Sequence, residues 1–211
     1  CSITIPHKID IIPLLDKTSE NVREMGACNT LYRDGEKICG ENTDVIGFTA
    51  PLRKRSLPPE TRMLVLGAGG VSRAAIAGLR RLGLANITLT NRRKERAEAL
   101  CNEFGLLCAP WEERGDVPAD LIINTTPLGM TGAQEHETPY PRAFQDNGIA
   151  YDLIYTPFQT RFLRDAAAAG WETVSGLDMF IGQGDAQFHL WTGHHLPEEA
   201  ITAVTSALYG Q

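Results

Sequence analysis

What the chain lacks narrows the field first. None of its apolar runs approaches the length of a membrane span, and no signal-peptide pattern is visible, so the cytoplasm is the expected compartment and no membrane partner is expected. Basic residues do not dominate. A net charge of −6 argues against a general nucleic-acid binder, whose footprint is a broad basic patch. The five cysteines (Cys1, Cys28, Cys39, Cys101 and Cys108) show no C-x-x-C spacing, which speaks against a structural zinc or a disulfide framework. They read as small buried hydrophobes in a reducing compartment. His7, His136, His189, His194 and His195 form no ligand set on one helix face, so no metal is expected. There are no repeats and no low-complexity tracts. What is present is an ordinary globular composition, 43% hydrophobic and 22% charged, which is enough for a real core. The chain opens directly on the alternating run Ser2-Ile3-Thr4-Ile5-Pro6 without an initiator Met, and reads as a fragment of a longer protein.

Near the middle lies the opening half of a dinucleotide-binding unit. The apolar run Met63-Leu64-Val65-Leu66 leads at once into Gly67-Ala68-Gly69-Gly70-Val71-Ser72-Arg73. A helix-like stretch from Ala74 to Leu82 and a strand Ile87-Thr88-Leu89-Thr90 follow. Glycines let the backbone approach a pyrophosphate, and a helix N-terminus offers it free N–H groups with partial positive charge. The match is partial, because Ser72 stands where the fingerprint has its third glycine. An NAD site tends to carry an acid after the second strand, to hold the ribose 2′-hydroxyl. Here Asn91 is followed by Arg92, Arg93 and Lys94, which suits a 2′-phosphate, and the module is read as NADP-binding.

Around this unit the pattern alternates. Ile3 to Ile5 reads as a strand, and Pro13 fits the first turn of a short helical stretch. Gly26 to Tyr32 reads as a turn entering a strand, which a hairpin at Arg33-Asp34-Gly35-Glu36 joins to a return strand over 37–41. Val45 onward looks helical, with Asp44 placed to cap it. Residues 53–62, with Pro58-Pro59, form the best boundary. Beyond it come a helix over 94–104, strands over 106–109, 121–124, 149–155 and 171–174, and helices over 161–169, 176–192 and 197–208. Strands alternating with helices predict a doubly wound parallel α/β sheet whose ligands collect beyond the C-terminal strand ends. Lys8, Asn29, Asp44, Asn124, Thr125 and Tyr155 all lie at or just past such ends.

Taken in order, several motifs resemble the shikimate dehydrogenase family, including its quinate/shikimate branch. They are Ser2-Ile3-Thr4-Ile5-Pro6-His7-Lys8, Ala27-Cys28-Asn29-Thr30-Leu31, Gly40-Glu41-Asn42-Thr43-Asp44, Gly67-Ala68-Gly69-Gly70 and Asn91-Arg92. Further on come Asn124-Thr125-Thr126-Pro127-Leu128-Gly129-Met130, Tyr151-Asp152-Leu153-Ile154-Tyr155-Thr156-Pro157 and Gly176-Leu177-Asp178-Met179-Phe180-Ile181-Gly182-Gln183, then Phe188 and Trp191-Thr192-Gly193. The resemblance implies an NADP-linked, reversible hydride transfer between 3-dehydroshikimate and shikimate. It implies a Rossmann-like NADP domain over 54–183, a smaller α/β substrate domain over 1–53 that is incomplete at its N-terminus, and C-terminal helices over 184–211 returning to that domain. Lys8 would be the catalytic acid/base and Asp44 its partner. Thr4, Asn29, Asp44, Tyr155 and Gln183 would hold the substrate. Gly67, Ala68, Gly69, Gly70 and Val71 would cradle the pyrophosphate, with Thr125 beside them. Asn91, Arg92, Arg93 and Arg96 would take the ribose phosphate, and Leu153, Gly176 and Met179 would line the nicotinamide pocket. The expected assembly is a monomer or homodimer. Gly184-Asp185 after Gln183 is closer to the quinate/shikimate branch, and Arg93 in place of a common threonine allows dual NAD/NADP use. A quinate or amino-shikimate dehydrogenase, or a non-catalytic sensor keeping the fold, are the competing readings. The Lys8 and Asp44 pair disfavours the sensor, which has no need of an acid/base couple.

Overall fold

The structure is a computed structural model describing residues 1–4 and 6–209. Two sheets organise it. The smaller contains β1 (Lys17–Thr18), β2 (Thr30–Asp34) and β3 (Lys37–Glu41), in the order β1-β3-β2. β2 and β3 are antiparallel and joined across Gly35, whose φ of 64° is the left-handed geometry such a turn requires. α1 (Glu20–Met25) sits between β1 and β2, capped by Ser19 Oγ accepting from the Val22 N–H at 3.2 Å and closed by left-handed Gly26. α2 (Asp44–Arg53) then leaves this lobe for the larger sheet.

That sheet is built from β4 (Met63–Leu66), β5 (Ile87–Thr90), β6 (Leu107–Cys108), β7 (Leu121–Asn124), β8 (Ile149–Asp152) and β9 (Glu172–Val174). All pairings are parallel, in the order β6-β5-β4-β7-β8-β9. Chain order therefore reverses direction between β4 and β7, the switch point at which such sheets bind ligands. β4 and β7 are buried along their whole length, as strands covered on both faces must be. On one face, α3 (Gly70–Arg81), α4 (Lys94–Phe104) and α6 (Gly176–Thr192) join α2 in a core around Phe48, Ile76, Leu79, Phe104 and Tyr151. On the other, α5 (Arg161–Ala168) packs through Phe162 in a cluster with Phe144 and Trp171. α7 (Glu198–Tyr209) ends the described chain.

The two sheets are joined through a helix seam. α2 lies so close to α6 that a Cβ on Gly47 would meet Met179 O at 2.5 Å and Gln183 N at 2.7 Å. A Cβ on Gly78 of α3 would strike Phe48 at 2.6 Å. α6 continues past the seam to the small sheet, where Gln187 Nε2 donates to Thr30 Oγ1 at 3.0 Å and Trp191 Nε1 to Leu31 O at 2.9 Å. Among the described residues, no helix is long and apolar enough to cross a membrane.

Several expectations need correction. The strand over Ile3 to Ile5 is reduced to a single bridge between Ser2 and Thr30, and Ile5 lies outside the described residues. β8 ends at Asp152 rather than Tyr155, because the Asp152 carboxylate accepts the Ile154 N–H at 3.0 Å and turns the chain out of the sheet. α3 starts at Gly70, not Ala74, since the glycine turn itself carries its first residues. Asp44 is the first helical residue of α2 rather than its cap, a position held by Thr43. Cys1 and Cys108 are exposed, so only three of the five cysteines are buried hydrophobes.

Candidate active site

Two sets of groups gather on either side of the helix seam. On the small-lobe side, Lys8 Nζ donates to Asp44 Oδ2 at 2.7 Å, with the two side chains 25% and 17% exposed. Ion pairs this accessible contribute at most ~1 kcal/mol, so stability gives little reason to hold an ammonium here. The other Asp44 oxygen is taken: Asn29 Nδ2 donates to Oδ1 at 2.8 Å and reaches toward Gln183 Oε1 at 3.5 Å. Asn29 is buried and itself clamped, because its Oδ1 accepts the Thr43 N–H at 2.8 Å and the Thr30 hydroxyl at 2.7 Å. Asn42 Oδ1 accepts the Asp44 N–H at 3.1 Å. The carboxylate is thus fixed from several directions. Lys8 is tethered through its backbone, its carbonyl accepting the Cys28 N–H at 2.7 Å. Thr4 is exposed, and Tyr155 is exposed with its ring stacked on Phe180 at 4.9 Å.

On the other side, beyond β4, β5 and β7, lies a cavity of about 270 Å³. Gly67, Ala68, Gly69, Asn91, Arg92, Arg93, Arg96 and Thr125 line it. Gly67 is indispensable by geometry: its φ is 114°, and a Cβ would lie 2.6 Å from Thr125 Oγ1. Cβ atoms on Gly69 and Gly70 would instead point into open space at the mouth of α3. The N–H groups of Gly67, Ala68 and Gly69 are already given to Thr90 O, Asn91 Oδ1 and Ser72 Oγ, so those of Gly70 and Val71 at the start of α3 are the ones left for a pyrophosphate. Ser72, the apparent flaw in the fingerprint, is fully buried and useful. Its Oγ accepts the Gly69 N–H at 3.0 Å and lies 2.7 Å from Thr125 Oγ1, tying the glycine turn to β7. Asn91 Oδ1 accepts the Ala68 N–H at 3.2 Å, linking the same turn to β5. Arg92, Arg93 and Arg96 are exposed, and among the described residues none has a carboxylate within 4.0 Å, whereas Arg73 pairs with Glu103 and Arg81 with Glu24. Guanidinium groups left unpaired around a cavity suit a phosphate dianion. Lys94 turns away to Glu98 at 3.5 Å.

The remaining expected residues lie outside this cavity. Val71 is exposed on the first turn of α3. Leu153, Gly176 and Met179 cluster at the start of α6, where a Cβ on Gly176 would meet Leu153 O at 2.6 Å. Asp185 caps the chain after α6, accepting the Leu196 N–H at 2.7 Å and lying 2.8 Å from His195 Nδ1, and so is occupied away from Gln183.

Sequence reasoning placed Asn124 at a strand end without a role and missed other residues that shape the site. Asn124 organises the loop after β7, accepting from the Thr126 N–H at 2.9 Å and donating to Asp152 at 3.0 Å. Asp152 is fully buried at the neighbouring strand end. Burial pushes its carboxyl up to about 7, against the opposing pull of hydrogen bonds from Thr160, the Ile154 N–H and Asn124. Thr43 and Ser72 stood within motifs without an assigned role and Gln187 in none, since each acts partly through partners distant in sequence. Trp111 and Thr126 line the cavity; only Thr126 lay within a motif.

A two-lobed α/β molecule with a dinucleotide-type cleft at its switch point and a lysine–carboxylate pair across a helix seam defines an oxidoreductase architecture. Comparison with known proteins narrows it. Residues 1–31 match the shikimate dehydrogenase substrate binding domain, 52–113 the shikimate / quinate 5-dehydrogenase model and 176–204 the shikimate 5'-dehydrogenase C-terminal domain. The chain is 54% identical to a shikimate dehydrogenase (NADP(+)) of Pelobacter propionicus, with 98% of this chain and 76% of the relative covered. It is 49% identical to one of Oleidesulfovibrio alaskensis, over 98% and 75%. Among solved structures, the shikimate 5-dehydrogenase of Thermus thermophilus in complex with NADP(H) and shikimate superposes with a TM-score of 0.86 at 36% identity, over 98% of this chain and 78% of the other. The chain belongs to the shikimate dehydrogenase family.

Proposed function

We propose that this chain catalyses the NADP-linked, reversible reduction of 3-dehydroshikimate to shikimate, with Lys8 as proton donor and acceptor and Asp44 as its partner. The reading is supported above all by the 2.7 Å contact between Lys8 and Asp44, held by Asn29 and faced by Gln183 from α6. Bound NADPH would supply the hydride. The ketone oxygen, gaining negative charge, needs a proton and a counter-charge, and the Lys8 ammonium offers both. In the reverse direction Lys8 takes the hydroxyl proton, while Asp44 keeps lysine and substrate oxygen aligned. Thr4, Asn29, Tyr155 and Gln183 are assigned to the substrate. Asn29 serves mainly by fixing Asp44, because its amide is already engaged on both ends.

Gly67 to Val71 with Thr125 would hold the pyrophosphate, and Asn91, Arg92, Arg93 and Arg96 the adenine ribose with its 2′-phosphate. Leu153, Gly176 and Met179 would stand against the nicotinamide, at the seam that Gly47 draws closed. In this reading residues 1–53 form the substrate lobe, 54–183 the cofactor lobe, and 184–211 return to the first. Steady-state assays with shikimate and quinate, each paired with NADP and NAD, test it. Turnover greatest with shikimate and NADP is expected. Tight ligand binding without turnover would instead favour a sensor.

A further inference from the structure

One wall of the cavity stands apart from the glycine turn and the arginines. Trp111 opens a short helical turn, Trp111–Glu113, just after β6, and its ring is half-buried against the core beneath β4 and β7. It also lines the cavity together with Arg92, Arg96 and Thr126. The Arg114 guanidinium covers one face of the indole at 3.9 Å from its centroid. Arg114 is itself fixed, donating to Pro139 O and to Trp111 O, both at 2.6 Å. The ring is therefore held rigidly, which lowers the entropy lost when a flat ligand packs on it. Its N–H is unused. Trp171 Nε1 donates to Gln145 O and Trp191 Nε1 to Leu31 O, whereas among the described residues Trp111 Nε1 has no protein acceptor. The ring is only half-buried, and its N–H is open to solvent rather than sealed in the core.

We propose that Trp111 is the aromatic wall of the purine subsite, packing against the adenine ring of the dinucleotide whose 2′-phosphate the arginines hold. The inference rests on the NADP reading above and deepens it, because it names the residue that recognises the base rather than the phosphate. A purine offers a flat π-face, which matches an indole clamped beside the arginines.

The test is calorimetric titration of the unaltered protein and of Trp111→Ala, Trp111→Leu and Trp111→Phe with NADP+, NAD+ and 2′,5′-ADP, a fragment lacking the nicotinamide. Loss of a base–aromatic stack should weaken NADP+ and 2′,5′-ADP about tenfold or more in the Ala and Leu variants, with Phe restoring most of it. The NADP+ to NAD+ preference should stay as it is, because Trp111 does not touch the 2′-phosphate. Arg92→Ala should show the opposite pattern, a changed preference. Should Trp111→Leu fold and bind 2′,5′-ADP as tightly as the unaltered protein, the wall is not where the base sits, and the NADP reading survives. If the unaltered protein binds neither NADP+ nor 2′,5′-ADP, that reading fails and the purine subsite falls with it.

Discussion

In the cleft beyond β4, β5 and β7, shape comes mostly from backbone: Gly67 at a φ of 114°, open space beyond Gly69 and Gly70, and a turn stitched down by Ser72 and Asn91. In the small lobe, shape comes from side chains, a relay in which Thr30 and Thr43 hold Asn29, Asn29 holds Asp44, and Asp44 holds Lys8. The cores differ in the same sense. The large sheet is packed on both faces, while the small lobe's buried cluster of Met25 and Val45 is completed by Ala74 and Ala77 of α3. A backbone cradle resting on a thick core tolerates little change at Gly67. A side-chain relay is as good as its weakest hydrogen bond and depends on the neighbouring lobe for support.

That contrast can be broken at either end. Removing the ammonium should have the largest effect: Lys8→Ala loses turnover by ~10²–10⁴-fold while NADP affinity, measured by titration, stays nearly unchanged. A parallel loss of NADP binding would show that the two regions are not separable. Gly67→Ala should do the reverse. Strain at a left-handed position together with the close contact to Thr125 costs about 1–3 kcal/mol, to be read as a roughly fivefold or greater loss of NADP affinity with shikimate binding kept.

Gly47→Ala tests the seam, since the new methyl would meet backbone of α6 and cannot be relieved by a rotamer change. Overpacking there should lower unfolding stability by about 1–3 kcal/mol and reduce turnover by shifting Gln183. The last expected effect concerns Asp152 and is on stability alone. Its carboxyl, raised from 3.8 to about 7, keeps its proton in the folded state at pH values where the unfolded chain has lost it. Stability should therefore fall as pH rises from about 4 to about 7. Asp152→Asn should flatten that slope in denaturant titrations across the same window.

The same contrast explains what could be read from the sequence. β3, β4, β5, β7, α4 and α6 were legible at their bounds, because apolar runs with clear turn residues at their ends fix them locally. The glycine turn and the arginines after β5 were legible for a related reason, since their chemistry lies within one contiguous stretch. α1 escaped notice: its six residues bury only Val22 and Met25, although Ser19 and Gly26 mark its ends. The early end of β8 depends on a hydrogen bond from Ile154 to a buried carboxylate, which no periodicity reveals. Residue types flagged Lys8 and Asp44 only through ordered motifs, and the relay of Thr43, Asn29 and Gln187 that holds them draws on segments up to 158 positions apart. Trp111 carried no signal, since its neighbours in the cavity come from β5 and β7.

Chemical rescue gives the sharpest test of the small lobe's ammonium as the proton source. Lys8→Ala would be assayed with 3-dehydroshikimate and NADPH at saturation while a series of primary amines of graded basicity is added. The account predicts a slow variant whose turnover climbs with amine concentration and varies with amine basicity. A variant as fast as the unaltered enzyme, on which amines have no effect, would contradict it.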